Sequence, residues 1–283
     1  MNKEFIEFKK ERDLSSIITD AFKFVRLEGK QFFLTILKTA IIPIIISAIA
    51  MIYYMISLSS FDLSDSTNTM SYILSVLVMM IAYLAAFIFI NLASMYYIKS
   101  YIDNKGIVNK DEVSKNTKEK FWSFTGFGIL SGLILSASFM LCFLPVFYTW
   151  TVLSLGASIL VFENETAGAT IGKCFSFVKG HFWETFGVVI VVGILVGVLG
   201  YVFQIPALIY QIIKTAVGIT DNDPTKIVSL FKDPIYIVLT IIAIIGRFAF
   251  YSISIVTNVL IYFDINEQKN ATGTIEKIEN LGS

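Results

Sequence analysis

Histidine occurs once in the 283 residues, as His181, and cysteine twice, as Cys142 and Cys174, so the chain is short of ligands for most metal constellations. It has no Cys-x-x-Cys pair, no phosphate-binding glycine loop and no Ser/His/Asp arrangement, the usual marks of redox, nucleotide and hydrolase chemistry. Net charge is lacking too: 22 basic residues stand against 22 acidic ones, without the basic excess that nucleic-acid binding needs. Charged residues make up only 16%, against about a quarter in a soluble domain. What fills the chain is apolar: 55% hydrophobic residues and a mean hydropathy of +0.73, in recurring runs of ~20 residues. These features predict an all-α, polytopic membrane protein with no metal, no cofactor and no catalytic constellation.

Apolar runs predict six transmembrane helices at 33–57, 71–98, 124–144, 146–162, 184–204 and 235–263. The division of 124–162 rests on Pro145, because a proline in a helix interior removes a hydrogen bond and clashes with the preceding turn. A tight reversal is therefore placed at Phe143 to Tyr148, the alternative being one kinked span plus a re-entrant segment. Residues 1–30 are polar and lack the short apolar region of a cleaved signal, so the first span is expected to direct insertion.

Lysine and arginine set the expected orientation. Seven lie in 1–30 and six in 99–120, whereas the segment Leu58 to Met70 has none. The positive-inside rule then places both termini in the cytoplasm of a bacterial inner membrane. The chain reads as a single membrane domain: a cytoplasmic segment 1–30, a bundle 31–263 and a cytoplasmic tail 264–283. The bilayer is its expected partner, anionic headgroups included; nothing identifies a protein partner.

Two amphipathic stretches predict helices in the membrane interface, Leu14 to Leu27 and Ile171 to Lys179. At a constant offset of 153, Ile18, Phe22, Phe24, Val25, Arg26 and Phe33 match Ile171, Phe175, Phe177, Val178, Lys179 and Phe186. This suggests a parallel internal repeat, each unit an interfacial helix followed by two spans. A long external loop is expected from Ile205 to Asp233, with an amphipathic stretch at Ala207 to Val217 and a turn at Asp221 to Pro224.

Leu144-Pro145-Val146-Phe147-Tyr148, Leu160-Val161-Phe162-Glu163, the run Ala167 to Trp183, and Tyr262-Phe263-Asp264 with Glu267-Gln268-Lys269 carry a resemblance. They resemble a Bacteroidetes-type family of bacterial six-helix membrane proteins. That family is similar to the membrane domain attached to some glycerophosphodiester phosphodiesterases. The resemblance covers nearly the whole chain and implies the membrane fold alone, since the hydrolase domain of those larger proteins is not in these residues.

Arg247 is the one charge expected well inside a span, where a charge is costly and a functional role is the default hypothesis. No carboxylate is evident at its depth, so carbonyls, hydroxyls (Ser131, Ser136, Ser138) or an anionic ligand would have to serve it. Ser254 and Asn258 follow at helical spacing, and Asn91 sits opposite by the repeat, which predicts a polar seam. Glu163, Lys179 and His181 fall at the cytoplasmic interface, where Glu163 is expected to pair with Lys173 or Lys179. Gly128 with Gly132 and Gly193 with Gly197 predict close helix packing. Tyr53, Tyr54, Tyr96, Tyr97, Tyr148 and Tyr262 are expected in an aromatic belt. Cys142 and Cys174 are expected reduced and unpaired.

Overall fold

A computed structural model describes residues 5–61, 65–141, 143–220 and 230–281. The expected Asp221 to Pro224 turn, Cys142 and part of the 58–70 segment lie outside them. Among the described residues there is no strand. The helices are α1 (Leu14–Ser59), α2 (Ser66–Asp103), α3 (Lys110–Leu141), α4 (Phe143–Ser154), α5 (Gly156–Phe162), α6 (Ala167–Val178), α7 (Phe182–Thr220), α8 (Pro234–Asn270) and α9 (Thr272–Leu281). A 3-10 turn, Leu230–Lys232, precedes α8. Among the described residues, six segments are long and apolar enough to cross a membrane: α1, α2, α3, Leu144–Phe162 (α4 with α5), Phe182–Val217 in α7, and α8. The chain is thus an all-α, multi-pass membrane protein.

The 124–162 run parts between α3 and the α4–α5 segment, so Phe143 to Tyr148, expected as a tight reversal, is instead the helical start of α4. Pro145 falls in the first turn of α4, where its missing N–H costs nothing. Gly156 of α5 lies against the Phe127 ring of α3 and 3.0 Å, measured from an ideal Cβ, from Cys174 Sγ of α6. Phe127 and Gly156 are nearly equidistant from the α3–α4 junction, as in an antiparallel pair.

Two expected boundaries shift. Leu14 to Leu27 is the first part of α1, continuous with the span, because nothing between Asp13 and Pro43 interrupts the helix. Asp13 begins it, its Oδ1 accepting the Ser16 N–H at 3.1 Å. Along this part Ile17, Ala21, Phe24 and Phe32 are buried, so the apolar face packs on protein. The matching stretch forms the separate helix α6, capped by Thr166 and buried through Thr170, Cys174 and Val178. At the 153 offset, Ile17 and Ala21 share burial with Thr170 and Cys174. Gly180, at φ +90°, ends the α6 segment where Leu27 continues α1. The second shift is in α7, which runs through Pro206 to Thr220, so the loop expected from Ile205 to Asp233 is helical as far as Thr220. Ala207 explains why: it is buried in a cluster with Met55, Leu230 and Tyr236.

The chain divides into two compact units. Unit 1 comprises Met1–Thr39, Ile88–Leu195 and Ser252–Ser283; unit 2 comprises Ala40–Phe87 and Val196–Tyr251. Unit 1 has an aromatic core in which Phe24 meets Phe8, Phe32, Tyr97 and Tyr101 edge-on at ring separations of 5.3–6.4 Å. Tyr96, Tyr97 and Tyr262 belong to this interior rather than to an interfacial belt, all three being buried. Tyr148 is exposed.

Unit 2 is held by ring contacts between helices: Tyr54 with Tyr72, Tyr83 with Phe248, and Phe203 with Phe250. Its close approach is at Gly246, where a Cβ would run into Phe203. By contrast, a Cβ at Gly128, Gly132, Gly193 or Gly197 would meet nothing within 4 Å, so those four are not packing faces within this chain. Small residues permit close approach but do not compel it; Phe203 opposite Gly246 supplies the partner surface.

Candidate functional site

In unit 2, Arg247 sits roughly 20 Å along α8 from Pro234, at 1.5 Å per residue, in the apolar surroundings of Ile244, Ile245 and Phe248. It is exposed on the protein surface. Its Cγ approaches Gly200, at 3.4 Å from an ideal Cβ there, and its guanidinium carbon lies 6.0 Å from the Tyr201 ring centroid, a cation–π contact. Among the described residues it makes no ion pair.

Arg247 also edges a groove of about 400 Å³ formed by α1, α2 and α8. Ile44, Ala48, Met51, Met79, Ile241 and Phe248 give it apolar walls, and Ser47, Tyr54 and Tyr83 contribute hydroxyls. The Ser47 hydroxyl already donates to the Ile44 carbonyl at 2.8 Å. Arg247 is the only charged one among the described residues that line the groove. Of the expected seam, Ser254 and Asn258 are half-buried and Asn91 is buried, all in unit 1, whereas Arg247 belongs to unit 2.

The interfacial residues in unit 1 separate into two pairs. Glu163 accepts from Lys173 Nζ at 2.6 Å and from the Tyr262 hydroxyl at 3.3 Å, and Lys173 also reaches Glu165 at 2.7 Å. The bonds to Glu163 and then Glu165 raise the Lys173 pKa above its ordinary value. His181 instead faces Glu184, Nδ1 to Oε2 at 3.6 Å. Lys179 is exposed at the C-cap of α6 and joins neither pair.

Other cations are spent on helix ends. Lys269 donates to the Ser176 and Phe177 carbonyls of α6 at 3.1 and 2.6 Å, and Lys99 to the Val161 carbonyl of α5 at 3.0 Å. Cys174 is a free, buried thiol whose pKa desolvation pushes up to about 12, so it is inert. No cluster of three or more His, Cys, Asp or Glu residues among those described could hold a metal.

One feature escaped the sequence: the N-terminal segment clasps the tail. The Arg12 N–H donates to Asp264 at 2.7 Å; its side chain bonds Asp20 at 3.0 Å, the Phe8 and Lys10 carbonyls at 2.7 and 3.1 Å, and the Glu7 carbonyl. Burial is the largest influence on that guanidinium and lowers its pKa, against the bond to Asp20. Lys9 pairs with Glu276 and Lys277 with Glu7, each at 2.6 Å. Glu267 receives the Gly273 and Thr274 N–H groups at 2.7 and 2.8 Å, fixing the start of α9. The available signal was weak: opposite charges in two short segments about 267 residues apart. With these sites in view, comparison with known proteins adds nothing. No family model, curated protein or solved structure matches this chain.

Proposed function

We propose that the chain is a non-catalytic binding module of a bacterial inner membrane, with both termini in the cytoplasm, that holds an anionic amphiphile or a membrane partner. One observation carries this reading: Arg247, well inside an apolar helix and without an ion-pair partner among the described residues, edges an apolar groove. A guanidinium in such surroundings is costly unless something anionic or strongly polar accompanies it. The resemblance to the Bacteroidetes-type six-helix family agrees with this reading, but implies no substrate.

Support for the absence of catalysis comes from the polar groups of unit 1. A lipid-modifying enzyme would need acidic or nucleophilic side chains converging near Glu163. Glu163 and Glu165 do converge, but on Lys173, which engages both. The second reading, transport of a small molecule or lipid, is favoured by the same groove. It predicts that Arg247→Ala abolishes flux in reconstituted vesicles, whereas a binding module leaves flux at background with or without the substitution.

The test of the main reading is mass spectrometry of lipids and proteins that copurify with the full chain from native membrane. An anionic amphiphile or a defined protein should accompany the wild type and be depleted with Arg247→Gln. An identical copurifying set for both forms would overturn it. For orientation, a cysteine at Asn116 should resist an impermeant thiol reagent applied from outside; labelling there would invert the topology.

A further inference from the structure

The groove beside Arg247 has properties that narrow what it takes. Its walls are apolar, its volume of about 400 Å³ lies near the lower end for ligand pockets, and among the described residues that line it there is one positive charge and no opposing one. Charge complementarity therefore asks for a single anion attached to a slender apolar body. A carboxylate matches the guanidinium fork with two parallel N–H···O bonds and neutralises it one to one. A groove of this volume takes one acyl chain, so a two-chain phospholipid would leave its second chain outside it, and its phosphodiester, a strong acid, stays charged on the way in. A carboxylic acid can enter protonated, then ionise against the guanidinium and release its proton to water.

Resting on the binding-module reading, we infer that the groove between α1, α2 and α8 holds a single-chain carboxylate amphiphile of the long-chain fatty-acid class. Its carboxylate pairs with Arg247 and its chain lies along Ile44, Ala48, Met51 and Met79. The Tyr201 ring, outside the groove lining, flanks the guanidinium with its centroid 6.0 Å away. Arg247 needs no protein carboxylate because the ligand brings one.

The experiment uses the full chain, purified in detergent and exchanged into neutral-lipid nanodiscs, with radiolabelled palmitate as probe. Methyl palmitate and lysophosphatidylglycerol serve as competitors. Palmitate should bind at about one per chain and resist methyl palmitate. Arg247→Gln should weaken it tenfold or more, and Arg247→Lys less, since lysine keeps the charge and loses the fork. Ala48→Phe, which fills the groove and keeps Arg247, should also lower binding and guards against a folding defect in the first variant.

Equal competition by methyl palmitate, or unchanged binding in both Arg247→Gln and Ala48→Phe, overturns the inference. Stronger competition by lysophosphatidylglycerol than by unlabelled palmitate overturns the carboxylate assignment and leaves the anionic-amphiphile reading standing. A dimer in light scattering that dissociates on Arg247→Gln, with no palmitate bound, assigns the face to a second copy of the chain and overturns the inference. Binding of no competitor, together with an unchanged set of copurifying molecules, overturns the binding-module reading as well.

Discussion

Arg12 in unit 1 and Arg247 in unit 2 carry the same guanidinium into opposite surroundings. Arg12 is fully buried as a side chain, donates to three backbone carbonyls and to Asp20, and ties the N-terminal segment together. Arg247 is exposed, flanked by one tyrosine ring and edged by an apolar groove. The contrast extends to the units around them. Unit 1 combines an aromatic core with charged ties between distant segments, whereas unit 2 is packed largely by rings, aliphatic side chains and the close approach at Gly246. A charge woven into hydrogen bonds serves the fold; one left outside them is available to a ligand.

The largest expected effect tests that contrast directly. Arg12→Ala removes the donors that satisfy the Phe8, Lys10 and Glu7 carbonyls and leaves Asp20 with Lys10 as its remaining ion-pair partner. Leaving buried acceptors such as the Phe8 carbonyl without their donor costs about 1–3 kcal/mol for each group. Arg247→Ala should fall within about 0.5 kcal/mol, as for a surface substitution outside a network. Thermal unfolding in detergent, with proteolysis of the N-terminal segment as a local probe, reads both. Equal losses for the two variants would remove the distinction.

Glycines sharpen the comparison next. Gly246→Val places a branched side chain where Phe203 already sits, and overpacking of that kind costs about 1–3 kcal/mol. Gly197→Val, whose Cβ meets open space, should leave the melting temperature nearly unchanged. A larger loss at Gly197 than at Gly246 would return the close packing to the Gly-xxx-Gly spacing.

How much of this was legible follows from what each signal measures. The six spans were readable because apolar run length maps directly onto helix length; that 124–162 divides was readable too, but Pro145 misplaced the division, since a proline is tolerated in the first turn of α4 and the helices part before Phe143. The Glu163–Lys173 pair was readable because it closes over a short separation. Helix ends were not: neither Leu14 to Leu27 nor Pro206 carried a signal strong enough to say whether the helix continued, and packing of Ile17, Phe24 and Ala207 decided it. The N-terminal clasp was invisible because Arg12, Asp264 and Glu276 come together only through tertiary structure. For Arg247 the sequence supplied depth and the missing carboxylate. It could not supply the groove, which takes residues from α1, α2 and α8.

Cys174 provides a smaller, pH-limited test of unit 1. An unfolded thiol titrates near its ordinary value of 9.0, but the buried one is pushed up to about 12. Below pH 9 both states keep the proton and the site contributes no pH dependence. Between pH 9 and about 12 the unfolded chain loses its proton first, so stability should fall as pH rises. In a Cys142→Ser background, native protein at pH 8.5 should resist maleimide and react once unfolded. Cys174→Ala should flatten the alkaline limb of the melting curve; rapid labelling of the native protein would place the thiol outside the α3–α5–α6 contact.

The smallest effect expected is at Lys173, and it separates an interfacial tie from the buried tie at Arg12. Lys173 bonds two glutamates at short distance, yet its side chain is 44% exposed, and exposed ion pairs contribute only about 0–1 kcal/mol. Its pKa is raised in the folded state, so whatever it contributes is fully present at neutral pH and lost only as pH rises through that raised value. Lys173→Ala should therefore lower the melting temperature at pH 7 only slightly, and 1 M salt should shrink the difference further by screening the pair. Arg12→Ala should keep most of its loss in the same salt, because the Arg12 side chain is itself buried. A Lys173 loss as large and as salt-resistant as that at Arg12 would mean that water is excluded from Glu163 and Glu165. These carboxylates would then have to be reconsidered as part of a closed polar site rather than a surface tie.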